Sequence, residues 1–154
     1  MSDVTYQPRG RHFEEFSVGM TVRTAGRTIT EADIVTFAGL SGDFNAIHTD
    51  AQYAANYMFG KRIAHGLLVQ SIATGLAVQT GFIEGTVLAF RELTAKFSKP
   101  VFIGDTIRVL LEIVETKELR RLGGGNVTMK YSVINNSDDV VQRGEWIMLV
   151  KSAA

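Results

Sequence analysis

The chain has 154 residues, of which 45% are hydrophobic and 21% are charged, and it contains no cysteine. This composition is typical of a single globular domain with a sizeable core and excludes a disordered chain. Basic and acidic residues balance at 16 each, so charge gives no indication of a nucleic-acid or anionic-membrane partner. The absence of cysteine excludes disulfides, thiolate catalysis, zinc fingers and iron–sulfur clusters.

Residues 1–12 are polar and contain Pro8 and Gly10, which predicts an N-terminal arm ahead of one domain over residues 13–154. The arm has no apolar stretch of the signal-peptide type. The longest mostly apolar run, residues 66–78, is interrupted by polar side chains and is too short to span a bilayer. We therefore expect a cytoplasmic protein without a membrane partner.

Residues 21–28 are rich in Thr and Arg, are bounded by glycine, and predict the first strand. Thr30 follows as a helix N-cap, since Asp33 lies three residues later as in a capping box. Gly39 or Gly42 is expected to end this helix.

Two further helices are predicted. A short one over residues 50–57 would be capped by Thr49 or Asp50. A longer one over residues 67–80 is apolar on nearly every face, which predicts a helix that is buried all round.

The remainder of the chain has the alternation of β-strands. Residues 135–138 predict a hairpin turn, and Gly123–Gly125 predict a mobile connection or a bulge. Four sequential strands with short links predict an antiparallel meander, and one such sheet around the long helix gives an α+β fold. The four strands are predicted over residues 86–97, 105–116, 126–134 and 140–150.

The loop at residues 41–50 is the main candidate for a catalytic site, because Asp43, Asn45 and His48 lie close together after a helix end. A carboxylate that faces an imidazole is equipped to move protons to and from water. The alternative is local: Asp43 and Asn45 are also common turn residues, and His48 could cap the next helix. The start of the long helix near Gly66 adds free N–H groups suited to an oxygen that gains negative charge.

Three ordered blocks resemble the MaoC-like, (R)-specific enoyl-CoA hydratase (hydratase 2) family over roughly residues 13–150. One departure from the family's pattern is Ala46, where proline is common, and it removes no reactive group. The blocks are Phe37-Ala38-Gly39-Leu40-Ser41-Gly42-Asp43-Phe44-Asn45-Ala46-Ile47-His48, Phe59-Gly60-Lys61-Arg62-Ile63-Ala64-His65-Gly66-Leu67-Leu68 and Lys96-Phe97-Ser98-Lys99-Pro100-Val101-Phe102-Ile103-Gly104-Asp105.

The resemblance implies a hot-dog fold, in which a sheet wraps a long central helix. It also implies a homodimer with its sheets joined edge to edge, an acyl-CoA thioester substrate, and no cofactor or metal. Asp43 and His48 would be catalytic and hold one water, and Asn45 would support their loop. The Gly66 N–H would form the oxyanion hole, and Thr74 would face the acyl pocket.

Other polar residues have simpler interpretations. His65 is expected to be a buried structural residue rather than a proton donor, and His12 to be exposed in the arm. Asp50 fits a helix cap, and a metal site from Asp43, His48 and Asp50 matches no standard ligand spacing. Four cations are candidates for the CoA phosphates: Lys61, Arg62, Lys96 and Lys99.

Two other functions remain as alternatives. A hot-dog thioesterase commonly places an acid on the central helix, and residues 66–81 contain no Asp or Glu. A non-catalytic acyl-CoA-binding subunit would have no need of the Asp43 and His48 pair.

Overall fold

The computed structural model describes residues 3–153. Met1 and Ser2 of the predicted arm and Ala154 of the predicted domain lie outside this range. The helices are α1 (Glu31–Ser41), α2 (Ala46–Thr49), α3 (Ala51–Ala55) and α4 (Gly66–Gln79). The strands are β1 (Thr21–Arg23), β2 (Arg27–Thr28), β3 (Val87–Leu93), β4 (Lys96–Phe97), β5 (Thr106–Leu119), β6 (Gly124–Ile134) and β7 (Val140–Lys151).

One antiparallel sheet packs against α4. Its strand order is β1-β5-β6-β7-β3, with β2 paired to β5 and β4 paired to β7. The core joins one face of α4, including Ile72 and Leu76, to inward side chains of the sheet such as Val109, Met129 and Met148. This sheet-around-helix arrangement confirms the α+β, hot-dog fold.

The predicted four-strand meander is wrong at its first strand. Strands β5, β6 and β7 are consecutive hairpins, and Asn135 begins the predicted turn between β6 and β7. Strand β3, however, pairs with β7 rather than with its successor, so that Phe90 lies opposite Met148. Strand β4 lies beside β7, and residues 98–105 carry the chain from β4 to β5. This eight-residue link is therefore a crossover rather than a hairpin. The predicted strand over residues 86–97 is also interrupted, between β3 and β4.

A bulge divides the predicted strand over residues 21–28 into β1 and β2. Arg23 lies opposite Leu110 and Arg27 opposite Ile107. The segment that joins β1 to β2 therefore contains one residue more than the part of β5 that it faces. Buried Thr24 fills the gap, because its N–H donates to the Val109 carbonyl and its hydroxyl accepts the Val109 N–H.

Of the glycine run at residues 123–125, only Gly123 lies in a connection, and the pairing of the other two shows no bulge. Gly124 and Gly125 are buried in the start of β6. A Cβ on Gly124 would lie 1.9 Å from the Val150 carbonyl oxygen, and one on Gly125 would lie 2.3 Å from the Phe13 ring. These glycines therefore permit close packing of the neighbouring strand and the N-terminal segment.

Helix α4 is not buried all round. Leu67 and Val78 are 49% and 44% exposed, and Ser71 and Gly75 lie exposed between them at helical spacing. The edge strand β3 is exposed as well, with apolar side chains at Leu88, Phe90 and Leu93. Within residues 3–153, no helix combines the length and the apolar character needed to cross a membrane.

The predicted capping box of α1 is confirmed. The Asp33 N–H donates to the Thr30 hydroxyl at 3.2 Å, and the Asp33 carboxylate accepts the Thr30 N–H at 2.8 Å. Thr30→Ala is expected to lower the free energy of unfolding by about 1 kcal/mol, because a first-turn N–H loses its acceptor. Urea unfolding measures this, with Thr36→Ala on the exposed face of α1 as the control. Equal effects of the two substitutions would contradict the capping role.

Candidate active site

The end of α1 positions Asp43. The helix stops at Gly42, whose φ of 77° turns the chain sharply, and the Asp43 N–H then donates to the Ser41 hydroxyl. One oxygen of Asp43, Oδ1, accepts the Asn45 N–H at 3.0 Å. Asn45 is itself the N-cap of α2, accepting the Ile47 N–H at 3.4 Å. Asn45 thus makes one hydrogen bond through its backbone N–H and one through its side-chain oxygen within this segment.

His48 lies on α2, a one-turn helix within the segment expected to be a loop. The residue is only 7% exposed, and its Nδ1 is 2.7 Å from the Ile63 carbonyl oxygen. A carbonyl oxygen can only accept, so we assign the proton to Nδ1. The other ring nitrogen, Nε2, then carries a lone pair that can take a proton.

His65 is a site residue whose partner the sequence did not reveal. It precedes α4 as its N-cap, and its Nδ1 accepts the Leu67 N–H at 3.0 Å. The proton is therefore on Nε2, which donates to Asp43 Oδ2 at 3.0 Å. His65 is only partly buried, and it orients a carboxylate as well as capping a helix. The sequence feature that could have indicated the capping role of His65 is its position just before the start of α4.

The Asp43 carboxylate is held in its ionised form. The Asn45 N–H is the main cause that lowers the pKa of Asp43, and His65 and then His48 lower it further, while partial burial opposes them. Both oxygens of the carboxylate are thus engaged by donors. At neutral pH, Asp43 can accept a hydrogen bond from water but cannot serve as a ready proton donor.

Asp43, His48 and His65 form one polar cluster, with a nitrogen or oxygen of each within 4.8 Å of the others. A water makes hydrogen bonds of about 2.8 Å, so one water can reach both Asp43 and His48. Asp50 caps α3 instead, accepting the N–H groups of Gln52 and Tyr53. The donor set suits proton transfer better than a metal, since both ring nitrogens of His65 already have partners.

Two members of the cluster, His48 and His65, line a cleft of about 550 Å³ together with Gly66, whereas Asp43 lies behind His65 and is not part of the lining. Gly66 is the first residue of α4, and its N–H has no acceptor among residues 3–153. The Phe97 ring covers Gly66 so closely that a Cβ there would be 2.4 Å from a ring carbon. The remaining wall is mainly apolar, including Phe59 and Val101. A free donor therefore lies beside the polar cluster in a largely apolar cleft.

The structure does not bring every predicted residue to the cleft. Thr74 lies two turns further along α4, outside the lining, with its hydroxyl bonded to the Ser71 carbonyl. His12 is partly exposed beside Glu15.

The four candidate cations differ in their availability. Arg62 makes a bidentate ion pair with Glu31, and Lys99 at the cleft rim pairs with Asp139 at 2.7 Å. Lys61 lies 4.2 Å above the Phe102 ring. Lys96 is exposed and makes no ion pair within the described part of the chain.

The comparisons with known proteins agree with this fold. The MaoC-like domain model matches residues 14–137. The 3-hydroxybutyryl-CoA dehydratase of Methylorubrum extorquens is 34% identical over 139 residues, which are 90% of this chain and 83% of that protein. Protein MaoC of Klebsiella aerogenes is 42% identical over 104 residues, or 68% of this chain, but the match spans only 31% of that longer protein.

Solved structures are similar over nearly the whole chain. A monoamine oxidase regulatory protein from Archaeoglobus superimposes with a TM-score of 0.87 at 37% identity, covering 94% of this chain and 97% of that one. The R-hydratase PhaJ1 of Pseudomonas aeruginosa gives 0.76 at 33% identity, covering 92% and 86%. With the domain model matched from residue 14 to residue 137, these similarities show that the chain belongs to the MaoC-like dehydratase domain family.

Proposed function

We propose that the chain catalyses the (R)-specific hydration of trans-2-enoyl-CoA to (R)-3-hydroxyacyl-CoA, and the reverse dehydration. The carrying observation is that Asp43 and His48 are within reach of one water beside the free N–H of Gly66. The names of the dehydratase and hydratase relatives support the same reaction class.

The water is the nucleophile. His48 Nε2 takes one proton from it while the Asp43 carboxylate accepts a hydrogen bond from the other, and the oxygen adds to the β-carbon. The proton on His48 is then delivered to the α-carbon, so one O–H bond and the C=C π bond break as one C–O and one C–H bond form. Ionised Asp43 stabilises the imidazolium between these two steps.

Negative charge passes to the thioester oxygen when the water adds. In the proposed pose this oxygen lies at the Gly66 N–H, which requires no reorganisation to donate because α4 holds it in place. The apolar walls of the cleft strengthen this hydrogen bond by excluding water.

A second copy of the chain is part of the proposal. No strand within residues 3–153 pairs with the outer edge of β3, so this exposed apolar edge can continue a sheet. The exposed stripe of α4 from Leu67 to Val78 would be covered in the same dimer, and Thr74 beside it would then be able to face an acyl chain. Lys61 and Lys96 remain the candidates for the CoA phosphates.

The test is turnover of crotonyl-CoA by the purified chain. The expected result is loss of the enoyl thioester absorbance and a product with (R) configuration in chiral analysis. Release of free CoA thiol without hydration would favour a thioesterase. Absence of turnover over a panel of short, medium and branched enoyl-CoAs would contradict the proposal.

His65→Leu is expected to move the pH profile of hydration. Loss of its N–H donor raises the pKa of Asp43, so the carboxylate becomes protonated at a higher pH. The contribution of the Asp43 carboxylate to the acidic limb of kcat/KM should therefore shift upward in pH. His65→Gln, whose amide can donate to Asp43, is the matched control and should shift the limb less.

Carbon-13 NMR titration of the Asp43 carboxyl measures the same change without turnover. An unchanged Asp43 titration in His65→Leu would show that His65 only caps α4.

A further inference from the structure

A second concave surface, which we call the cationic groove, lies at the break between β3 and β4. It has a volume of about 500 Å³ and shares no lining residue with the cleft. Its walls carry four exposed charged side chains, three of them positive: Lys96, Lys130, Arg143 and Glu145. The charge of this groove is not used in the proposed mechanism.

The pairing of β4 with β7 places the cationic groove behind the wall of the cleft. Lys96 lies directly opposite Arg143, and the next pair along the two strands is Phe97 and Gln142. Phe97 and Gln142 line the cleft, whereas Lys96 and Arg143 line the groove. Because successive residues of a strand point to opposite faces of a sheet, only one layer of strands separates the two surfaces.

The positive charges of the groove are unequally compensated. Lys130 lies between two carboxylates, with Glu112 opposite it on β5 and Glu145 opposite it on β7. Arg143 instead faces Lys96 on one side and an uncharged residue of β6 on the other. None of these five charged side chains forms an ion pair within residues 3–153. Lys96 and Arg143 are therefore two adjacent cations with no carboxylate directly opposite either of them.

Such a pair favours a bound anion. Like charges directly opposite each other on neighbouring strands repel and lower the stability of a sheet, so an anion between them would remove a cost as well as add an attraction. Arginine binds phosphate oxygens with two parallel N–H groups, and lysine binds them as a point charge. The chemistry of Lys96 and Arg143 together fits a phosphate group.

The groove is adjacent to the place where the thioester binds in the proposed pose. The Phe97 ring covers Gly66, whose N–H donates to the thioester oxygen in that pose, and Lys96 is the residue before Phe97. Among residues 3–153, β4 pairs with β7 alone, so its other edge is open. The flexible arm of CoA can therefore leave the cleft beside Phe97 and cross this edge to the groove.

We propose that Lys96 and Arg143 bind the phosphates of the CoA substrate in the cationic groove, on the face of the sheet opposite the reaction site. The inference rests on the proposed function for the position of the thioester. The other cations near the cleft are less suited to this role. Arg62 and Lys99 already have carboxylate partners, and Lys61 lies over an aromatic ring.

The experiment compares hydration of crotonyl-CoA with hydration of crotonyl-pantetheine, which lacks the phosphates. In Lys96→Gln/Arg143→Gln, the KM for crotonyl-CoA should be about 10-fold higher than in the wild type with kcat unchanged, because two exposed charge-assisted contacts are lost. The KM for crotonyl-pantetheine should be equal in the two proteins. An unchanged KM for crotonyl-CoA, or an equal rise for both substrates, would overturn the phosphate site.

Salt dependence gives a second readout of the same contacts. Added salt should raise the wild-type KM for crotonyl-CoA, because it screens exposed charges, and should affect the double variant less. Equal salt dependence of the two proteins would contradict the role of these cations.

A matched control removes the same charges elsewhere. Lys117→Gln/Arg121→Gln changes one exposed lysine of β5 and one exposed arginine just after it, and should leave the KM for crotonyl-CoA unchanged. Lys61→Gln tests the rival cation, and a rise in KM there rather than in the groove variant would overturn the proposal. The groove variant should unfold at or above the wild-type temperature, since it relieves a repulsion, so a change in KM would not reflect loss of the fold.

Binding without turnover separates this inference from the proposed function. Free coenzyme A is titrated calorimetrically into the wild type and the groove variant, with pantetheine as the comparison ligand. Coenzyme A affinity that falls about 10-fold in the variant of a chain without hydratase activity would retain the phosphate site and reject the proposed function. Hydration with a KM that neither the variant nor removal of the phosphates changes would do the reverse.

Discussion

Asp43→Asn is expected to reduce kcat for crotonyl-CoA hydration by about 10²–10⁴-fold, the range of a positioned proton-transfer group. The substitution removes the charge that stabilises protonated His48. It also brings an amide N–H₂ towards donors, since the Asn45 N–H and His65 Nε2 both donate to the carboxylate. The single amide oxygen can satisfy only one of them.

Asp139→Asn is the matched control for this prediction. The Asp139 side chain is 43% exposed against 42% for Asp43, and it too makes a hydrogen-bonded ion pair, with Lys99 at the cleft rim. It should retain hydration within a few-fold. Equal residual activity of the two variants, with unchanged thermal unfolding, would remove Asp43 from the mechanism.

Removal of the Gly66 N–H is expected to reduce kcat by about 10²–10³-fold, because the thioester oxygen loses its donor. Proline removes this group, and the site tolerates its backbone: Gly66 is the first residue of α4, and His65 has a ψ of 134°, as residues before proline require. The obstacle is the Phe97 ring, which any side chain at residue 66 would meet.

The comparison is therefore made in a Phe97→Ala background. Gly66→Ala/Phe97→Ala keeps the N–H, and Gly66→Pro/Phe97→Ala lacks it, so the two variants differ chiefly in one donor. Steady-state kinetics should show the loss in kcat between them, with similar KM. Equal kcat in the two double variants would mean that the oxyanion lies elsewhere.

Local signals in the sequence predicted the elements that depend on near neighbours. Thr30 and Asp33 identified the start of α1, and Asp50 identified the cap of α3. The run of apolar residues located α4. The sequence did not predict the exposed stripe of this helix, because burial of Leu67 and Val78 depends on which distant residues face them.

Contacts between distant residues were not predictable in the same way. Pairing of β3 with β7 depends on a crossover that the turn signals at residues 98–105 do not distinguish from a hairpin. The Asp43–His65 hydrogen bond joins residues 22 positions apart and exists only because the C-terminus of α1 lies beside the N-terminus of α4. The Gln70–Gln142 pair spans 72 positions and joins a helix to a strand.

Main-chain atoms hold the polar groups of the site. The Ile63 carbonyl fixes His48, the Asn45 N–H fixes Asp43, and the Leu67 N–H fixes His65. No side-chain replacement at Ile63, and none other than proline at Leu67, deletes these bonds, so mutational tolerance should be high at such positions. A library directed at the cleft wall could therefore evolve new acyl preferences while the reaction machinery stays in place.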